Sequence, residues 1–520
     1  MKPVPDADLP ADPCAWRVPL AVAVCVFLLV YGAELGQFTL SIDEEVASFM
    51  PTLGTVWLSQ GRWGMGLLTW LLPNFEAIPL LSTVLFGAGL IFSAMRAIRD
   101  FRLEGMRAAT FAAVFAGFPL WLHIGEFNTF AAGFGFGVAA ASLGAGLATH
   151  ARDWRARAIG IAAMAFAISI YQTLAVYVAV YALIAWHASI EAPQDAVSRR
   201  PAAALFGSLA GTAATVLAAG VAYWTIQKLA SSVFGVTSAY VDVYWQVDRL
   251  RAAPGEVVAT GLRALGDYAT GRQDMYLSTG GRVLFLSWLG LLPYALALRA
   301  RNVSPGFRLG AFWTTLVIAL CLVAMPFVVS AGTLPIRAHV AWPLLAAWLA
   351  SRIELPSTRF FRGALWTALA FQVVAACSIG ASLFYTERVV RAADAALTQS
   401  LVPRMLDAAD ASAAGASAAG TIPFAISGVY AFPMEGEIQR AGVFGTSFYE
   451  HDNGNVRRVA LYMKTLGYRR FEPVWLGSRP DLVEAVAQMP DWPAPGSIRR
   501  VNGVVLVRLG PATPQQLGPG

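Results

Sequence analysis

The sequence predicts a mostly α, polytopic membrane bundle of about 11 spans, with interfacial helices and a small C-terminal α/β domain outside the membrane. Three observations predict it. Of 520 residues, 57% are hydrophobic and 13% charged, about half the charged share of an ordinary soluble domain. The apolar residues fall in runs about a span long, near 18–37, 77–95, 108–123, 131–149, 159–171, 174–186, 202–223, 282–299, 309–330, 338–353 and 363–384. The charges are uneven: residues 386–520 alone carry 13 basic and 12 acidic side chains, a nearly neutral, water-exposed composition. A soluble single core is excluded, and a net charge of +6 without one basic face gives no case for a nucleic-acid partner.

The first run, after a short cytoplasmic segment 1–17, lacks a small-x-small cleavage site and reads as a retained span. The loops then sort by arginine. Arg96, Arg99, Arg102 and Arg107 share one loop, and Arg152, Arg155 and Arg157 the next on that side. Arg199 with Arg200, Arg299 with Arg301 and Arg308, and Arg352 with Arg359 and Arg362 complete the series, whereas the alternate loops 124–130, 172–173 and 331–337 carry only Arg337. The positive-inside rule therefore places the N-terminus in the cytoplasm, and an odd span count leaves the C-terminal domain, 385–520, on the other face. Segments 38–76 and 224–281 lie on that same outer face as loops of the membrane domain, 18–384. Thr52–Ser59 and Gly61–Leu72 are too short to span and suit interfacial helices anchored by Trp57, Trp63 and Trp70. The tail opens with a helix, Glu387 to Asp410, and a small-residue linker, Ala411–Gly420. Strand-like Thr421–Ile426 and Gly503–Leu509 then alternate with helical patterns around Val456–Leu466 and Asp481–Gln488.

Chemistry concentrates on the outer face. Ser41-Ile42-Asp43-Glu44-Glu45 directly follows span one. Three adjacent carboxylates raise one another's pKa, a cost that a general base for a hydroxyl proton would justify. The same acids also suit the N-cap and first turn of a following helix. Gln60-Gly61-Arg62-Trp63-Gly64 offers a planar guanidinium suited to phosphate, with glycines that admit a head group, while Trp63 suits a sugar face or an interfacial anchor. No span interior carries a charged residue away from its ends, which argues against an ion-coupled carrier. Polar residues gather instead at the outer rim: Glu34, His123, Glu126, Asn128, Tyr171, Gln172, Arg337 and His339. There is no His/Cys metal spacing, nucleophile elbow or P-loop, and Gly133-Phe134-Gly135-Phe136-Gly137 reads as helix close-packing. No cofactor is firmly expected, although the acidic loop leaves a divalent cation open.

These residues resemble the membrane glucosyltransferases of the O-antigen serotype-conversion type (glucosyl transferase family II). The resemblance rests on the Ser-Ile-Asp-Glu-Glu motif, Gln-Gly-Arg-Trp-Gly about fifteen residues on, the Glu126–Phe130 and Ile170–Gln172 turns, and Leu334-Pro335-Ile336-Arg337. It covers 18–385. It implies a GT-C bundle that takes a sugar from a polyprenyl-phosphate carrier on the outer face of the bacterial inner membrane and passes it to a glycan acceptor. It implies Asp43 or Glu44 as the catalytic carboxylate, Arg62 and Arg337 as carrier-phosphate contacts, and Glu45, Trp63, Glu126, Asn128, Tyr171, Gln172 and His339 around the sugar and acceptor. Two other readings fit an outward polar rim: a lipid-linked-sugar flippase or transporter, and an O-antigen ligase or polymerase. Acceptor recognition is expected in the tail, around Gly445–Asn455 with Tyr449, Glu450, His451 and Asp452.

Overall fold

Ten of the eleven apolar runs fall on helices in the computed structural model, which describes residues 14–37, 39–49, 53–72, 80–151, 153–191, 202–237, 247–270, 307–352, 359–410, 420–433 and 440–518. The run 282–299, the Gly-Arg-Gln-Asp of 271–274 and most of the 411–420 linker lie outside the described residues. Seven described helices are long and apolar enough to cross a membrane, and Leu174–Ile190 and Trp342–Ser351 are shorter apolar helices. The fold is a mostly α, polytopic one with a small sheet near the C-terminus.

The chain divides into two compact units, Met1–Gln37 with Thr52–Ala381, and Phe38–Pro51 with Ser382–Gly520. The first is the helical bundle. Its elements in order are α1 (Cys14–Gly36), α3 (Leu53–Ser59), α4 (Trp63–Leu71), α5 (Leu81–Asp100), α6 (Gly105–Ala116), α7 (Leu122–Gly125), α8 (Asn128–His150), α9 (Trp154–Ile170), α10 (Leu174–Glu191), α11 (Ala202–Phe234), α12 (Val247–Ala252), α13 (Pro254–Ala269), α14 (Phe307–Val329) and α15 (Trp342–Ser351); α2 belongs to the second unit. Short α3 and α4 stand where interfacial helices were expected. Of their three tryptophans only Trp70 is largely exposed; Trp57 is buried, and Trp63 packs edge-on to Phe166 of α9 at 6.4 Å. Glycine sets the tightest helix crossing. A Cβ on Gly135 of α8 would sit 2.6 Å from the Leu85 carbonyl of α5, so only glycine lets the two backbones touch. Some buried polar groups of the bundle cluster together: the Tyr177 hydroxyl lies 2.7 Å from Ser93 Oγ and 3.0 Å from Ser142 Oγ. At the end of α5, the Asp100 carboxylate accepts from Arg96 at 2.8 Å and Tyr181 at 2.9 Å. On α11, Phe206, Leu217, Val221, Trp224 and Leu229 are exposed, as a lipid-facing helix requires.

The second unit holds α2 (Glu44–Ala47), the distal part of α16 (Arg359–Asp410), β1 (Ile422–Ser427), α17 (Val456–Thr465), β2 (Phe471–Pro473), α18 (Pro480–Ala487), β3 (Ile498–Val501), β4 (Val504–Arg508) and α19 (Pro514–Leu517). One expectation changes here. The last span and the first helix of the tail form one unbroken 52-residue helix, α16. Phe384-Tyr385-Thr386-Glu387 contains neither glycine nor proline, so nothing stops backbone hydrogen bonding from propagating.

The sheet order is β2-β1-β4-β3, with β1 parallel to both neighbours and β3 antiparallel to β4. Asn502 and Gly503, both at positive φ, make the two-residue turn of the β3–β4 hairpin. Strand alternation divides the core. Phe424 and Ile426 join Val505, Val507, α17 and Leu397–Met405 of α16 on one face, while Ala425, Val504 and Leu506 meet Leu482 and Val486 of α18 on the other. Ile42 inserts into the first of these layers at 1% exposure. That burial contributes about 1.5–3 kcal/mol and pins the first-loop acids to this unit.

Candidate functional site

Around Ser41–Glu45 the three carboxylates are treated differently by the fold. Asp43 stands at the N-cap of α2 in the left-handed region, φ +83, without a side-chain capping bond. Aspartate tolerates that region better than most residues, but at a cost. Glu44 folds back on its own turn: Ser41 N donates to Oε2 at 3.0 Å and Ser41 Oγ to Oε1 at 2.9 Å. Glu45 is fully buried, and burial raises its pKa while the Arg458 guanidinium pulls it back down.

Arg458 of α17 is the hub. Its Nη2 lies 2.9 Å from Asp43 Oδ1, its Nη1 2.7 Å from Glu45 Oε1 and its Nε 2.5 Å from Asp452 Oδ2. The three carboxylates hold the guanidinium pKa above its ordinary value against the opposing effect of burial. His451 Nε2 sits 3.4 Å from Asp452 Oδ1, and burial lowers its pKa. Asp43 keeps 45% of its side chain exposed, against none for Glu45. Among the described residues, no group of three or more His, Cys, Asp or Glu side chains is arranged to hold a metal ion.

In the bundle, the turn between α3 and α4 presents Arg62. Gly61 at φ +75 turns the chain, and the guanidinium lies over three rings: Trp57 at 5.5 Å, Phe130 at 5.1 Å and Tyr171 at 5.1 Å. Side chains from distant helices hold the turn through its carbonyls. Gln172 Nε2 donates to Gln60 O at 2.7 Å, Tyr223 OH to Gly61 O at 2.9 Å and Gln227 Nε2 to Leu58 O at 3.0 Å. Tyr223 and Gln227 were not singled out from sequence, because a tyrosine and a glutamine on an apolar helix carry no motif; their placement on α11 one turn apart is the only signal.

Arg337, on a short 3-10 turn Ile336–Ala338, lies 4.7 Å over Phe127. Phe127 and Phe130 sit one turn apart at the start of α8, so the Glu126–Phe130 turn carries Arg337 on one ring and Arg62 on the other. Glu126 and Asn128 are buried in that turn, and the Asn128 carbonyl accepts from Ser82.

A family model described as Glucosyl transferase GtrII matches residues 32–351. The chain belongs to this family. No curated protein and no solved structure matches it. Membership makes the chain a glucosyltransferase of the GtrII type, and the match takes in the acidic loop, the Arg62 turn and Arg337. It stops short of α17, so Arg458 and Asp452 lie outside the matched region.

In the bundle, Arg62 lies on Tyr171, Gln172 bonds the turn that carries Arg62, and Arg337 lies on Phe127, the residue between Glu126 and Asn128. Two other expected residues have ring partners of their own. Trp63 packs on Phe166, and His339 stacks face-to-face on Phe327 at 3.6 Å with Tyr268 beside it. In the second unit, Tyr449 is a core residue whose hydroxyl meets Thr398 Oγ1 at 2.7 Å, and Glu450 pairs with Arg440 at 2.8 Å. Within Gly445–Asn455, Tyr449 and Glu450 are thus engaged, while Asp452 and Asn453 are exposed.

Proposed function

We propose that this GtrII-family chain moves a glucosyl group from a polyprenyl-phosphate carrier to an envelope glycan such as O-antigen, on the periplasmic face of the bacterial inner membrane, with a GT-C type bundle. Asp43 is the general base. The acceptor hydroxyl oxygen attacks the anomeric carbon, its proton passes to the Asp43 carboxylate, and the bond from that carbon to the phosphate oxygen breaks. The carrier leaves as polyprenyl phosphate. Arg62 and Arg337 contact the phosphate and offset its developing charge, usually a large contribution to such a reaction. No nucleotide is needed and no metal is invoked, because the leaving group's charge falls to guanidinium groups.

One observation carries the choice of base. Of the three adjacent acids, Glu44 is spent on Ser41 and Glu45 is buried, whereas Asp43 remains half-exposed on a strained, pinned backbone. Gln172 supports the reading as a brace for the Arg62 turn, a role different from the sugar contact that the resemblance implied. The test is incubation of the purified, bilayer-reconstituted chain with radiolabelled polyprenyl-phosphate glucose and a glycan acceptor. Label should reach the glycan, and Asp43→Asn should cut that transfer by about 10²–10⁴-fold at unchanged protein level. Transfer from a nucleotide sugar alone, or full activity of Asp43→Asn, would refute it.

A further inference from the structure

The GtrII match ends before the tail, yet the tail supplies Arg458, a cation that two ion pairs place on the acidic motif. We infer that Arg458 is a positioning residue for the reaction: it fixes the direction of the Asp43 carboxylate. This rests on the reading of Asp43 as base and adds to it a second residue, from a part of the chain that the family match does not cover.

The geometry supports this in three ways. First, Arg458 uses its three nitrogens on three different carboxylates, Asp43, Glu45 and Asp452, from three positions along the chain. A planar fork presents its donors in fixed directions, whereas an ammonium is a compact point charge whose three donors rotate freely. Second, Arg458 is 19% exposed, so its charge acts with less screening than a surface pair would. Third, the motif has little else to orient Asp43. The Asp43 side chain makes no capping bond, Glu44 is turned toward Ser41, and Ile42 anchors only the backbone.

The charged neighbours include Asp43, Glu44, Glu45 and Asp452, the cation Arg458, and His451, which lies beside Asp452 and within electrostatic reach of Asp43. Arg391, within electrostatic reach of His451, is already bonded to Glu387 and Asp394. Removing Arg458 takes away the guanidinium that Asp43, Glu45 and Asp452 share.

The experiment measures kcat against pH for the full-length, reconstituted chain with polyprenyl-phosphate glucose, for wild type and four variants. Arg458→Gln should lower kcat about 10–100-fold with donor KM changed less than about threefold, and should move the acidic limb of kcat up by about one pH unit or more. Arg458→Lys should keep the limb near its wild-type position while kcat falls several-fold. Arg479→Gln, which breaks an exposed pair with Asp481 in the same unit, should leave both unchanged. A merely structural role would scale activity equally at every pH. If Arg458→Gln does not accumulate folded, Asp452→Asn takes its place: with one competitor gone, Arg458 acts more strongly on Asp43 and the limb should move down. A limb that stays put in Arg458→Gln, or in Asp452→Asn where that is the variant measured, overturns the inference. The fourth variant, Asp43→Asn, separates the two failures. If it is fully active, the base reading falls; if it is inactive while the Arg458 profile matches wild type, only the Arg458 inference falls.

Discussion

Two short motifs stand less than twenty residues apart in the chain, and opposite physics holds them. Ser41–Glu45 is held by charge: Arg458 bonds two of its acids, Ser41 bonds the third, and a single buried isoleucine anchors the segment. Around Gln60–Trp63 stand neutral groups: three aromatic rings at Arg62, and three side-chain donors on the carbonyls of Leu58, Gln60 and Gly61. The first arrangement responds to protons, and the second to shape. In the proposed reaction a carboxylate accepts a proton and needs an environment that tunes charge. A guanidinium that stays charged at all working pH needs only to be aimed.

That contrast can be sharpened by mutation. After Asp43→Asn and the Arg458 variants, the next largest effect should come from Arg62→Lys. It retains the charge but loses the planar face on Trp57, Phe130 and Tyr171. Donor KM should rise about 10-fold, with acceptor KM nearly unchanged, as steady-state kinetics with each substrate varied would show. Equal effects on both substrates would make Arg62 a structural residue.

Tyr223→Phe and Gln227→Leu each remove one donor to a carbonyl of the turn. A hydrogen bond of this kind is worth about 1 kcal/mol, so donor kcat/KM should fall about fivefold with no change in pH profile. A shifted acidic limb in either variant would blur the division between the two motifs.

Glu45→Gln probes the buried acid. Because Glu45 is pushed up by burial, its ionisation is less favourable folded than unfolded, so the native state holds the proton to higher pH. Stability of the wild type therefore falls as pH rises through the window above the ordinary glutamate value. The melting temperature of Glu45→Gln relative to wild type should rise with pH between about 4 and 7, by a few degrees at most. The smallest effect is expected from chelation: with Arg458 meeting the acids, EDTA should leave transfer unchanged, and a loss restored by added Mg²⁺ or Mn²⁺ would show a cation role.

Much of the fold was legible because membrane spans announce themselves in composition and length, and ten of the expected runs coincide with helices. The Gly133–Gly137 pattern was legible for the same local reason, since small residues permit backbone contact. The strands β1 and β4 were visible as buried apolar runs, and Asn502-Gly503 was an overlooked turn signal for β3. The unbroken α16 was not foreseen, because the drop in hydropathy after Phe384 suggests a boundary that helical hydrogen bonding does not recognise.

At the site, the acids and arginines were readable as motifs, but their partners were not. Arg458 lies 415 positions after Asp43, and one arginine among 13 basic residues of the tail carries no sign of its contacts. Gln172 and His339 were expected around the sugar and acceptor; the structure adds a bond from Gln172 to Gln60 O and the stacking of His339 on Phe327, contacts with backbone and ring that a rim residue type does not announce.

The most direct test of the account compares the three acids in single turnover. With saturating labelled polyprenyl-phosphate glucose and acceptor, Asp43→Asn should slow the chemical step at least about 100-fold, while Glu45→Gln and Glu44→Gln at matched protein levels should slow it far less. A chemical step unaffected in Asp43→Asn, with the loss appearing instead in Glu44→Gln or Glu45→Gln, would contradict it.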